Sequence, residues 1–312
     1  MIETAPIGTP PSWRAFSLSS GRGICSPALD FNEWLPWLER LPGRLRSGRA
    51  REIRYLSLLS TGRRTFQVGG RDEQPLIVKC YPGTPADTSS SPDGSQHSRS
   101  SWDAFCCNQD LWQRNVPVPE PLIFLETSGE RSRSCCYVIT RQIEGCQPLF
   151  EFIFDQVRRR AVSRPCLEKW RKTIVESIVN LHRSGYSHGD LHNLNLLVQR
   201  RNPGDGIRVF FIDFDACQPN AGTLPDRAQL RDLADLGASL HQLVPDVLLA
   251  KALAQYLNAL RLKGRHRREH CLRIIRREYP VLLTRNRTLR QSVEEYHFAL
   301  AEEQLRTPDP VS

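Results

Sequence analysis

From Phe31 the apolar residues Trp34, Leu35, Leu38 and Leu41 recur at near-helical spacing, which predicts a short amphipathic helix with Pro36 in its first turn. The period then shortens. Apolar runs at 53–59, 65–68 and 76–81, separated by a polar turn at 60–64 and by Gly69-Gly70, predict a three-stranded antiparallel meander. Residues 102–112 return to a helical pattern that Val116-Pro117-Val118-Pro119 breaks, and 122–125 and 135–140 are two further strand-like runs. After Gly145 helices dominate. Leu167, Trp170, Ile174, Ile178 and Leu181 follow one another at intervals of 3, 4, 4 and 3, and Gly185 stands where a helix should stop. Leu233, Leu236, Leu240 and Leu243 repeat the pattern, with further helices predicted over 247–260 and 291–305. Two stretches lack such order. Residues 1–29, rich in Pro, Ser and Gly, are expected to fray, and 82–101 reads as a disordered insertion. The chain therefore divides into an N-terminal extension with a short helix (1–49), a strand-rich lobe (50–145) and a helical lobe (146–312).

Composition narrows this picture. With 312 residues, 39% hydrophobic and 6 Trp, 7 Tyr and 12 Phe, the chain has material for a real core, and global disorder is excluded. No apolar stretch approaches the roughly 20 residues needed to cross a bilayer, and Met1-Ile2-Glu3-Thr4 does not begin a secretory signal, so a cytoplasmic location is expected. The 10 cysteines show no CxxC spacing and are expected to be structural thiols, neither zinc ligands nor a redox motif. The net charge of +9 favours a polyanionic partner: a phosphorylated glycolipid, an anionic membrane face or nucleic acid.

The chemistry is concentrated in one segment. His188-Gly189-Asp190-Leu191-His192 follows the strongest predicted helix, Asn195 lies five positions after Asp190, and the apolar run 209–212 ends in Asp213-Phe214-Asp215. Lys79 sits upstream in a strand-like Ile-Val-Lys context. Turn formation explains Asp190 and Asn195 separately, but it leaves a carboxylate at the end of a buried apolar strand without a reason.

This order of motifs resembles the protein-kinase-like superfamily. The resemblance implies an α+β, two-lobed kinase fold, with an antiparallel sheet plus helix in the N-lobe, a mainly helical C-lobe, and ATP and Mg²⁺ between them. It implies that Asp190 accepts the proton of the attacking hydroxyl, that Asn195 and Asp213 ligate the metal, and that Lys79 meets the α/β-phosphates. Gly62 and Arg63 stand where backbone amides and a cation would cover the phosphates, Gln142 and Glu144 where adenine is read, His188 where the catalytic loop is braced, and Asp103 on the helix that normally supplies the lysine's carboxylate. Asp103 is out of register with that position, because Ala104 lies closer to it.

Three departures point within the superfamily. The loop lacks the Arg that reads a phosphorylated activation loop, the triplet ends in Asp215, and the segment from Asp213 to Asp232 has no Ala-Pro-Glu element for docking a peptide. These features resemble the lipopolysaccharide core kinases of the Kdo/WaaP family. The resemblance implies phosphorylation of a sugar hydroxyl of the inner core, on an anionic glycolipid acceptor, with peripheral contact at the anionic inner face of the cytoplasmic membrane. The basic run from Arg261 to Arg277 suits such a surface, or is a solvated helix face; without interleaved aromatics it does not suit nucleic acid. A Ser/Thr/Tyr protein kinase, a small-metabolite phosphotransferase and a non-catalytic nucleotide-binding scaffold share the same motifs.

Overall fold

The computed structural model describes residues 13–19, 21–47, 53–57, 64–69, 74–82, 96–127, 135–158, 163–201, 206–220, 225–241, 243–261 and 265–306; side chains are described in these ranges except at 46–47, 53–57, 82, 96–100 and 287–306. The chain forms two compact units, one of residues 1–146 and 210–217, the other of residues 147–209 and 218–312.

The first unit is built on a seven-stranded antiparallel sheet. In chain order its strands are β1 (Arg14–Leu18), β2 (Gly21–Cys25), β3 (Ile53–Ser57), β4 (Arg64–Val68), β5 (Leu76–Pro82), β6 (Pro121–Thr127) and β7 (Cys135–Arg141), arranged β1-β2-β6-β7-β5-β4-β3. The meander β3-β4-β5 forms as predicted. The hairpin β1-β2 does not fray: β2 pairs along β6 from Gly21↔Thr127 to Cys25↔Ile123. Glycine makes this approach feasible, since a Cβ at Gly21 would lie 2.1 Å from Glu126 O and one at Gly23 would lie 2.2 Å from Phe124 O. Two glycines in five residues erase the apolar alternation from which a strand is read.

Two helices cover the sheet. Helix α1 (Phe31–Ser47) runs past the predicted end and contains both Pro36 and Pro42. Its stripe of Trp34, Leu38, Leu41 and Leu45 is buried against Val68, Leu76, Val78, Leu122, Leu125, Tyr137 and Ile139, and each such side chain contributes about 1.5–3 kcal/mol, enough to outweigh an interrupted helix hydrogen bond. Helix α2 (Gln96–Gln113) takes up the end of the stretch expected to be disordered, while 83–95 lie outside the described residues. Phe105, Trp102 and Trp13 pack with Phe124 on the opposite sheet face, together with Tyr81, Cys136 and Val138. Strand alternation decides which groups face α2: Leu76 and Val78 point to α1, so Lys79 and Tyr81 point the other way. Asn115, at φ 58°, ends α2 in the left-handed conformation.

The second unit holds α3 (Leu149–Arg158), α4 (Arg164–Arg183), α5 (Arg227–Leu240), α6 (Asp246–Ala259) and α7 (Arg265–Arg306). Short strands accompany them: β8 (Cys146–Pro148), β10 (Leu196–Arg200) and β11 (Ile207–Phe211) form one sheet, and β9 (Tyr186–Ser187) pairs with β12 (Gln218–Pro219). Helix α4 follows its predicted period and ends at Gly185, whose φ of 89° suits only glycine. Helix α7 is continuous through Pro280, where the sequence suggests separate elements. Among the described residues no helix is long and apolar enough to cross a membrane.

The cysteines depart from expectation at one pair. Cys107 of α2 and Cys217 form a disulfide within the first unit, spanning 110 positions, while Cys25, Cys80, Cys106, Cys135, Cys136, Cys146, Cys166 and Cys271 are free thiols. Adjacent or CxxC spacing gives no hint of so distant a pairing.

Candidate active site

In the first unit Lys79 sits in the middle of β5, flanked by Thr65 of β4 and Val138 of β7. Its Nζ lies 2.6 Å from Asp213 Oδ1 and 2.6 Å from Asp215 Oδ2. The Tyr81 hydroxyl donates to Asp215 Oδ1 at 2.5 Å, and the Lys79 Nζ is 5.3 Å from the centre of the Tyr81 ring. Asp215 is thus held by two groups of the same strand face. Burial and the neighbouring Asp213 push its carboxyl above the usual range, and Lys79 and Tyr81 only partly oppose them. Asp213 has φ 67°, a left-handed conformation that costs a non-glycine residue on the order of 1–3 kcal/mol and is kept where a function requires it. Its side chain is 39% exposed against 10% for Asp215, so Asp213 is the carboxylate available to a ligand.

Asp103 does not join this cluster. It lies exposed on α2, and among the described residues it makes no ion pair, with Lys79 or otherwise. Gln142 follows β7, its amide taken by Pro75 O at 2.9 Å, and its Oε1 is buried without a hydrogen-bond partner among the described residues. Glu144 is exposed in the turn at Gly145. Gly62 and Arg63 lie outside the described residues.

The second unit carries the loop between β9 and β10. Asp232 of α5, 1% exposed, accepts the amides of His188 at 2.7 Å and Gly189 at 2.8 Å, while His182 Nε2 stands 3.2 Å away. His182 Nδ1 in turn meets the Tyr256 hydroxyl at 2.6 Å. The loop is therefore hung on one buried carboxylate, and Gly189, at φ 80°, makes the bend. Further along, Asn193 is fastened by Ser239, its amide to Oγ at 3.0 Å and its Nδ2 to the carbonyl at 2.7 Å. His188 is wholly buried.

These fastenings present Asp190 and Asn195. Asn195 Nδ2 donates to the Asp190 carbonyl at 2.9 Å and lies 3.2 Å from His192 Nε2, so its nitrogen faces inward, and among the described residues no donor reaches Oδ1. Asp190 meets His192 Nε2 at 3.6 Å through Oδ2 and the guanidinium of Arg285 through Oδ1. Burial alone would raise the Asp190 carboxyl, but His192 and Arg285 outweigh it and hold it well below the usual carboxylate range.

Sequence reasoning finds Lys79, Asp190, Asn195 and Asp213 but not the groups that hold them. Asp232 and Asp235 had a signal, being two carboxylates one helical turn apart beside the apolar stripe of α5. Arg285 had none in a helix full of arginine.

No curated protein sequence matches the chain with significance. A solved structure described as "WaaP in complex with acyl carrier protein" is 20% identical, with a TM-score of 0.58 over 82% of this chain and 98% of that one. That likeness shows the fold, which is kinase-like and α+β, in agreement with the order of motifs. Residues 103–257 match the lipopolysaccharide kinase (Kdo/WaaP) family model. This segment runs from α2 through both loops of the candidate site, and over it the chain is similar to the lipopolysaccharide kinase (Kdo/WaaP) family.

Proposed function

We propose that the protein is an ATP-dependent kinase that phosphorylates a sugar hydroxyl, of Kdo or heptose, in the lipopolysaccharide inner core. The observation that carries this reading is the double engagement of Lys79 by Asp213 and Asp215, because it gathers a phosphate-binding cation and a metal-binding carboxylate at one place. The residues fit the groups such a reaction needs. Asn195 offers a hard oxygen without a donor among the described residues, Asp213 a half-exposed carboxylate, and Gln142 a buried acceptor suited to an adenine amino group. Magnesium, when bound, neutralises charge on the phosphates and orients them for in-line transfer.

In this reading Asn195 and Asp213 hold the metal and Lys79 binds the α/β-phosphates. Asp190, ionised throughout the physiological range, accepts the hydrogen bond of the acceptor hydroxyl. That oxygen bonds the γ-phosphorus as the bond to the leaving oxygen of ADP breaks, and the hydroxyl proton passes to Asp190. Exposed Arg273, Arg276 and Arg277 on α7 face the anionic glycolipid and the inner leaflet that carries it.

Labelled phosphate from Mg·ATP, offered to deep-rough lipopolysaccharide and to a protein extract in parallel, tests this reading. Label in the glycolipid that is absent with Asp190→Asn supports it. Label in protein alone would favour a protein kinase, and none in either a nucleotide-binding scaffold.

We also infer an acyl carrier protein partner, since the WaaP structure was solved with one. The supporting observation is a cavity of about 180 Å³ within the second unit, lined almost wholly by apolar side chains including Phe152, Trp170, Ile178, Leu236 and Tyr256. It suits an alkyl chain better than a sugar or a nucleotide. Retention of acyl-loaded but not unloaded carrier protein on the immobilised chain checks it.

A further inference from the structure

We propose that Arg285 is a positioning residue for the transfer, one that sets the Asp190 carboxylate from α7, beyond the segment matched by the family model. The inference rests on Asp190 serving as the residue that receives the acceptor hydroxyl.

The geometry is a chain of three charged groups closed by an amide. Arg285 Nη2 pairs with Asp190 Oδ1, and Arg285 Nη1 lies 3.3 Å from Asp235 Oδ2. Asp235 Oδ1 accepts from Asn286 Nδ2 at 2.8 Å, and the same nitrogen donates to Leu282 O at 2.9 Å. The next residue of α7 thus fixes the carboxylate that fixes the guanidinium. Exposure is uneven along this chain: the side chain of Asp235 is 3% exposed, that of Arg285 45% and that of Asp190 30%. The anchor is buried, and the working end opens to solvent, where an acceptor would arrive.

Stability alone is a poor reason for this arrangement. A half-exposed ion pair contributes at most about 1 kcal/mol, whereas burying Asp235 against it is costly. Orientation is a better one. The terminal torsion of an aspartate is broad, so an unheld carboxylate turns freely, and a planar fork bound to one oxygen leaves the other in a defined direction. Here Oδ1 is taken by Arg285, which leaves Oδ2, beside His192, for the acceptor hydroxyl. A small misplacement of such a group costs up to about 100-fold in rate.

The test uses the full chain with Arg285→Ala, Arg285→Lys and Asp190→Asn, measuring phosphate transfer from Mg·ATP to deep-rough lipopolysaccharide and the melting temperature of each. Arg285→Ala should lower kcat by about 10-fold to 100-fold with KM for ATP unchanged. Millimolar guanidinium should restore part of that loss, and Arg285→Lys should recover less than the rescued variant, because an ammonium lacks the planar fork. In an Asp190→Asn background, Arg285→Ala should cost nothing further. An unchanged kcat in Arg285→Ala, or a loss that guanidinium does not repair and that follows a lowered melting temperature, overturns the proposal. Full turnover by Asp190→Asn would instead remove the reading of Asp190 on which it rests.

Discussion

Lys79 Nζ lies 2.6 Å from Asp215 Oδ2, so the strand lysine takes its fixed carboxylate from two residues beyond Asp213 and not from α2. The arrangement explains how Lys79 is kept extended although Asp103 is exposed and unpaired with it. Asp213 is the more exposed partner of Lys79, and Asp215 is held by Tyr81 as well.

Asp215→Asn should therefore weaken binding of a fluorescent ATP analogue by about 10-fold, the loss of one charge-assisted hydrogen bond of about 1.5 kcal/mol. Asp103→Ala should leave that affinity within about twofold. The opposite ranking in an equilibrium titration would return the lysine to the helix carboxylate.

Asp232 accepts two amides of the loop between β9 and β10 from full burial. Asp232→Ala leaves both donors unsatisfied, and a denaturant midpoint should record a loss of about 2–5 kcal/mol. A loss under about 0.5 kcal/mol would mean that the loop is held elsewhere.

The pH dependence of stability should carry the mark of Asp235. Burial pushes its carboxyl up, with Asp190 adding to the effect, against Asn286, Arg285 and His192. A carboxyl with a raised folded value gives up its proton more readily when unfolded, so stability falls as pH rises above the ordinary 3.8. Asp235→Asn can keep the hydrogen bond from Asn286 and removes this slope. Its melting temperature should gain on wild type as pH rises above that value. If wild type gains on the variant across that range, the sign is wrong.

Gly23→Ala should destabilise by about 1–3 kcal/mol, because its Cβ would meet Phe124 O at 2.2 Å and the Phe16 ring at 2.7 Å. Thermal unfolding of the variant is the check; a neutral substitution would mean that β2 does not approach β6 this closely.

Sequence legibility followed the range of the forces involved. Helix α4 and the meander β3-β4-β5 write their period in neighbouring residues, and the loop of Asp190 and Asn195 displays its chemistry in residue types. What stayed hidden depends on partners distant in the chain. The strand β2 exists through its pairing with β6 and carries glycines where an apolar signal would be. Helix α1 continues past Pro42 because Leu41 and Leu45 bury on the sheet. Lys79 was legible but its partner was not, since Asp215 and Asp103 are equally acidic and only folding separates them. Arg285 is one arginine among many until α7 packs beside Asp235.

The most direct measurement is the mass of the inner-core oligosaccharide released from dephosphorylated deep-rough lipopolysaccharide after incubation with the protein and Mg·ATP. A gain of one phosphate on a sugar hydroxyl, absent with Asp190→Asn, is the predicted result. An unchanged oligosaccharide under conditions where the protein hydrolyses ATP or phosphorylates a polypeptide would contradict it.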